Sequence, residues 1–140
     1  MQVQHYLFFY GRCEEALAFY ADKLGAQVLF QMRGKDAPGE NAIKGEHGDR
    51  IMHASFRIGE TTLMASDGNP DQPAQPHSGF SVAISLDDVA EGKKLFDALT
   101  EGGKVCFPWQ GTFWAKGFGM VNDKFGVPWM VSVEKEMPQP

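Results

Sequence analysis

Four histidines, two cysteines and two adjacent-carboxylate pairs are the side chains of this 140-residue chain best suited to chemistry. A histidine titrates near neutrality and can move a proton or hold a metal, so each one is weighed first. His5 and His53 sit in apolar, strand-like runs, which makes them the candidate ligands for a divalent ion. His47 and His77 lie among Gly and Pro residues, as exposed loop positions do. Glu14-Glu15 and Asp87-Asp88 each stand where a helix should begin, so capping and the helix dipole explain them better than paired acid-base work. Cys13 and Cys106 belong to no CxxC motif and read as small hydrophobes in a reducing compartment.

A second group of candidates is aromatic. Trp109, Phe113, Trp114, Phe118, Phe125 and Trp129 crowd residues 109–129, a density that suits either an apolar ligand pocket or a core and dimer seam. Arg57 and Lys116 are the nearby cations able to meet an anionic ligand. The expected ligand-binding set is therefore Trp114, Phe113, Lys116, Trp129, Arg57 and Trp109. The glycines of Gly117-Phe118-Gly119-Met120-Val121-Asn122 lack both the third glycine and the strand-to-helix turn of a phosphate-binding loop, and read as strand glycines.

The elements that must position these residues follow from periodicity. His5–Tyr10 is a short aromatic run that reads as a strand buried on both faces. Ala16, Phe19, Tyr20 and Leu24 then share one face of a helix, and Gly25 follows as its C-terminal cap. A strand begins at Val28. Residues 34–49 form a long loop rich in Gly and charge, expected at a pocket mouth. Runs at Ile51–Ile58 and Thr61–Ser66 flank Gly59-Glu60, a hairpin connection. After a Pro-rich linker the order repeats: strand at Phe80–Leu86, helix from Asp87-Asp88 towards Gly102-Gly103, then strands near Val105, from Phe113 to Val121 and from Pro128 to Val133.

Laying Tyr20 on Phe96 superposes the halves and puts Leu7-Phe8-Phe9 on Ala83-Ile84-Ser85, as an internal duplication would. The expected architecture is α+β: one domain, residues 1–140, of two β-α-β-β-β modules at about 2–68 and 79–135, joined by a linker at 69–78. Their antiparallel curved sheets would form a cleft.

Composition narrows the function classes. A net charge of −5 with scattered Lys and Arg excludes the basic stripe of a nucleic-acid binder, and no apolar run is long enough for a membrane span. The N-terminus has no basic region ahead of its short apolar run, so it does not read as a signal peptide, and a cytoplasmic location is expected.

YLFFYGRCEEALAFY at 6–20 and FWAKGFGMVNDKFGVPWMVSV at 113–133 resemble the PhnB-like branch of the vicinal oxygen chelate superfamily, which includes glyoxalase I, extradiol dioxygenases and fosfomycin and bleomycin resistance proteins. The second segment is long and unusual, and the resemblance covers nearly the whole chain. It implies paired β-α-β-β-β modules, frequent homodimers, and a metal in many members beside simple ligand binding in others. In metal-using relatives each module supplies one ligand from its first strand and a carboxylate from its last. Here His5 matches the first position, Ser81 stands at its counterpart, and Leu63-Met64-Ala65 and Met130-Val131-Ser132 replace the carboxylates.

The expectation is thus a homodimeric protein that binds a small organic ligand without the usual metal quartet. The alternative is a metal-dependent lyase, isomerase or dioxygenase rearranged around His5 and His53, with Asp67 or Glu134 assisting. Methyl transfer is disfavoured because no glycine-rich turn follows a parallel strand to hold an adenosyl cofactor.

Overall fold

The computed structural model describes residues 1–135. The chain divides into two compact units, Met1–Gln75 and a second beginning at Pro76, with the boundary inside the proline-rich stretch.

The first unit runs β1 (Tyr6–Phe8), α1 (Cys13–Leu24), β2 (Gln27–Arg33), β3 (Ile51–Ile58) and β4 (Thr61–Ser66). These strands form one sheet in the order β1-β4-β3-β2. β2, β3 and β4 are antiparallel, whereas β1 pairs with β4 in parallel, so the sheet is mixed rather than antiparallel throughout. The reason is directional. The crossover through α1 leaves β2 running with β1, and two hairpin reversals bring β4 back in that same direction.

Strand alternation then sorts the side chains. Leu7, Phe9, Ala54, Phe56, Leu63 and Ala65 are buried under α1, where Tyr20 stacks on Phe56 at 6.0 Å between ring centroids. Burying one such ring stabilises the unit by about 1.5–3 kcal/mol. β1 is open on its other face, for Tyr6 and Phe8 remain 38% and 41% exposed. The expected strand buried on both faces is corrected on this point.

The second unit repeats the order with β5 (Val82–Ser85), α2 (Val89–Thr100), β6 (Lys104–Gln110), β7 (Ala115–Asn122) and β8 (Pro128–Glu134), in a sheet ordered β5-β8-β7-β6. β5 is again parallel to β8. Phe113 and Trp114 fall just before β7. Asp88 caps α2 by accepting from the N–H groups of Ala90 and Glu91.

α1 is capped differently. Its N-cap, Arg12, makes no side-chain cap bond, while Glu14 pairs with Arg33 and Glu15 with Arg12 at 2.8 Å. The carboxylate that receives its opening N–H groups is Asp67, from beyond the end of β4. The capping expected of Glu14-Glu15 is corrected accordingly.

Backbone bonds set the correspondence between the units. Phe9 N–H donates to the Ser66 carbonyl at 2.9 Å, and Leu86 N–H to the Ser132 carbonyl at 3.2 Å. Leu86 therefore corresponds to Phe9, and His5 to Val82 rather than Ser81. The first strands are offset from the helices by one residue because the turn before α1 is longer. That turn places Tyr10 at φ 50° and Gly11 at φ 97°.

Candidate functional site

The open face of the first unit carries a polar pair among rings. Tyr6 on β1 and His53 on β3 project from the side of the sheet away from α1, and the Tyr6 hydroxyl lies 2.9 Å from His53 Nδ1. Phe8 packs against Tyr6 at 5.0 Å, Tyr10 against Phe8 at 6.4 Å, and Phe30 of β2 against His53 at 6.1 Å. Phe30 is 48% exposed and His53 half-buried, so solvent reaches the cluster. Met64 pairs with Tyr6 across the β1–β4 ladder and Met32 with His53 across β2–β3, completing an apolar surface around two hydrogen-bonding heads.

Burial pushes the Tyr6 hydroxyl above the ordinary phenol range, so Tyr6 keeps its proton at neutral pH. This pair was only half legible in the sequence: His53 was singled out, whereas Tyr6 lay in a run read as core. A hydroxyl-bearing aromatic in one strand and a histidine in another were the available signals, but the phase of neither strand could be fixed.

Arg57 lies on the same open face, two alternation steps along β3 from His53, and donates to Gln27 Oε1 at 2.6 Å. His5 lies elsewhere. It precedes β1, is exposed, and its carbonyl accepts from Met64 N–H at 3.0 Å. Alternation from Tyr6 assigns it to the Leu7 side of the sheet, opposite His53.

In the second unit the aromatic set divides. Trp114 is half-buried against Phe118 at 5.4 Å and against Phe113, itself 80% exposed, at 4.9 Å. Phe118 also meets Phe107 at 5.3 Å, and together these rings make a second aromatic face on the side away from α2. Lys116 is exposed within the register shift between Ala115 and Gly117.

Trp109 and Trp129 leave this group, which corrects their placement as pocket-lining residues. Trp109 lies over Gly92 and Gly117 and packs on Phe96 of α2 at 5.7 Å, because those glycines leave room for an indole on the helix side. Trp129 is 1% exposed and its indole N–H donates to Asp123 Oδ2 at 2.8 Å. That indole is a strut of the β7–β8 turn.

The candidate metal ligands do not fit a divalent ion. The open-face positions on the last strands are Met64 and Met130, which supply thioethers where hard oxygen donors are needed. Both Asp67 oxygens are engaged at 2.8 Å, Oδ1 by Gly11 and Cys13 N–H and Oδ2 by Ile51 N–H. Among the described residues no three His, Cys, Asp or Glu side chains are grouped to hold a metal ion. Glu134 is exposed at the end of β8.

The 34–50 segment folds into three short 3-10 turns, and its Asp49 and Arg50 line an open pocket of about 510 Å³ with Gly11, Glu14, Arg33 and Asp67. The carboxylates there are already matched: Glu14 by Arg33, Asp49 by Lys35 at 2.7 Å, and Asp67 by backbone N–H groups. Cys13, beside Asp67, is fully buried; burial first and then the charges of Asp67 and Glu14 push its thiol up to about 12. It is therefore no nucleophile at neutral pH.

Comparison with known proteins places the chain in a family. The profile of the Glyoxalase/Bleomycin resistance protein/Dioxygenase superfamily matches residues 2–131. Protein YjdN of Escherichia coli K12 is 41% identical over 99% of both chains. The crystal structure of PA1353 from Pseudomonas aeruginosa superposes with a TM-score of 0.86 at 40% identity, covering 97% of this chain and 99% of that one. A PhnB protein of Bacillus cereus, named for 3-demethylubiquinone-9 3-methyltransferase, superposes with a TM-score of 0.74 at 26% identity, covering 94% and 98%. Among the described residues no helix is long and apolar enough to cross a membrane.

Proposed function

Because this chain belongs to the glyoxalase/bleomycin resistance protein/dioxygenase superfamily, in its PhnB-like branch, we propose that it binds a small planar organic ligand on the open aromatic face of its first unit, without a resident metal. The observation that carries this reading is the Tyr6–His53 hydrogen bond set among solvent-reached rings. Phe8 and Phe30 supply flat apolar area, and the two polar heads orient whatever lies on it, the combination that small-molecule sites use. Trp114, Phe113 and Phe118 offer the second unit a similar surface. Arg57 extends the first face with a cation suited to an anionic substituent.

Membership of the superfamily does not bring a reaction with it, since one fold hosts several chemistries. Methyl transfer, which the Bacillus cereus protein's name invokes, is left out because β1 is followed by Tyr10-Gly11-Arg12 and not by a glycine-rich turn. Stoichiometric retention of labelled S-adenosylmethionine would overturn that exclusion. We place the protein in the cytoplasm, in keeping with two cysteines left as free thiols. We also assign it self-association, on the exposed Val28, Leu29 and Phe30 of edge strand β2.

A thermal-shift screen of planar aromatic compounds tests the reading. A ligand at a hundred times its Kd should add about 2.7 kcal/mol of stability, and Phe30→Ala should weaken it about tenfold. A complete panel without a hit, or a hit indifferent to Phe30→Ala, would count against it.

A further inference from the structure

Among the described residues Tyr10 is the one residue other than glycine with a positive φ, and Gly11 follows it in the same region. A β-carbon is crowded there, so a ring-bearing residue takes that conformation only where its surroundings enforce it. A closed turn does so. Arg12 N–H donates to the Phe9 carbonyl at 3.1 Å, and the buried Asp67 carboxylate accepts from Gly11 and Cys13 N–H at 2.8 Å each. Turns with two such central residues are dominated by Gly, Asn and Asp, and tyrosine is a costly choice for the first place.

The fold does not demand this strain. In the second unit the chain passes from β5 to α2 through Leu86, Asp87 and Asp88 with no positive φ, and Val133 stands at the place of Asp67, one residue beyond the matching serines. What the turn of the first unit delivers is a ring. Tyr10 and Phe8 both border Gly68, where a Cβ would stand 3.4 Å from Phe8 Cδ1 and 3.6 Å from Tyr10 Cε1. Phe30, His53, Tyr6, Phe8 and Tyr10 thereby make one continuous strip, with successive ring centroids 6.1, 5.6, 5.0 and 6.4 Å apart. The Tyr10 hydroxyl makes no hydrogen bond among the described residues and is not one of the buried unpartnered atoms, so solvent reaches it at the end of the strip.

We infer that the left-handed turn holds Tyr10 as the terminal contact of the ligand site, and that the strip selects planar ligands of two or more linked rings carrying a hydroxyl or carbonyl oxygen at one end. The inference rests on the ligand-binding reading above and names the class of ligand. A single ring covers only part of the strip. A longer planar ligand buries apolar area along it and brings an oxygen to the Tyr10 hydroxyl, which can donate or accept.

Calorimetry on the full-length protein compares trans-4,4′-dihydroxystilbene, two linked rings with a hydroxyl at each end, with 4-ethylphenol, which resembles one half of it. The stilbene should bind at least about tenfold tighter. Tyr10→Gly removes the ring and the strain together. It should weaken the stilbene about tenfold, and 4-ethylphenol much less, while the urea midpoint stays or rises. Tyr10→Ala loses the ring but keeps the strain, so it should unfold at lower urea than Tyr10→Gly. Tyr10→Phe keeps both ring and turn and should lose several-fold in stilbene affinity through the missing hydroxyl.

Stilbene binding that Phe30→Ala weakens but Tyr10→Gly and Tyr10→Phe leave unchanged would overturn the inference and leave the ligand site standing. So would equal affinities for the two probes, or a urea midpoint that falls as far in Tyr10→Gly as in Tyr10→Ala. Failure of both probes to bind, or indifference of both to Phe30→Ala, would overturn the inference and the ligand-binding reading together.

Discussion

The Tyr6 hydroxyl and His53 Nδ1 meet at 2.9 Å although 47 positions separate them and β4 lies between their strands. The contact spans the open face of β4, so it ties β1 to β3 through side chains where the backbone ladder connects the two strands only by way of β4. Removing the hydroxyl should therefore loosen the edge strand. Tyr6→Phe is expected to cost about 1 kcal/mol in urea unfolding, with the far-ultraviolet spectrum unchanged.

Asp67 joins the helix start to the sheet by accepting from Gly11, Cys13 and Ile51 at 2.8 Å each. An amide in its place retains one acceptor and turns a donor towards another N–H. Asp67→Asn is expected to destabilise the protein by roughly 3 kcal/mol, since a buried donor left unpaired costs about 1–3 kcal/mol. A loss below about 0.5 kcal/mol by chemical denaturation would contradict the role assigned to it.

The two thiols should behave differently towards an alkylating reagent. Cys106 is exposed on β6 and should react at once at pH 8, whereas Cys13 should react only on unfolding. Mass spectrometry of the native protein is expected to show a single adduct, at Cys106.

Alkaline pH should weaken the fold, and the sign follows from the protons. Cys13 holds its proton up to about 12, against the model-compound value of 9.0, and Tyr6 is likewise raised above its value of 10.0. The unfolded chain releases both protons sooner. The stability they contribute is complete below about pH 9 and is lost as pH rises towards 12. Unfolding free energies measured across that window should fall with pH, and Cys13→Ala should flatten the slope.

Gly119 faces α2, and a Cβ there would stand 2.7 Å from Phe96 Cε2. Gly119→Ala must displace a ring that is 4% exposed and is expected to cost about 1–3 kcal/mol through overpacking. A rise in Tm on this substitution would show that the second unit has slack at its core.

Sequence alone determined the order of elements and most of their limits. Ile51–Ile58 and Thr61–Ser66 stand where their apolar runs and Gly59-Glu60 placed them, and the helical face of Ala16, Phe19 and Tyr20 is buried as its spacing requires. Local propensity and periodicity act within a few residues of chain, so they leave a readable trace. The superfamily was legible too, through the long segment at 113–133.

Tertiary structure decided the phase of each strand and, with it, the site. One added residue before α1 moved the counterpart of His5 from Ser81 to Val82, and pairing across β4 brought Tyr6 to His53. Trp109 went to the helix side because glycines at 92 and 117 made room for it, and Trp129 went to the core with the carboxylate of Asp123 as its partner. Because strand side chains alternate, a shift of a single residue exchanges core for open face, and that shift is fixed by hydrogen bonds between segments far apart in the chain.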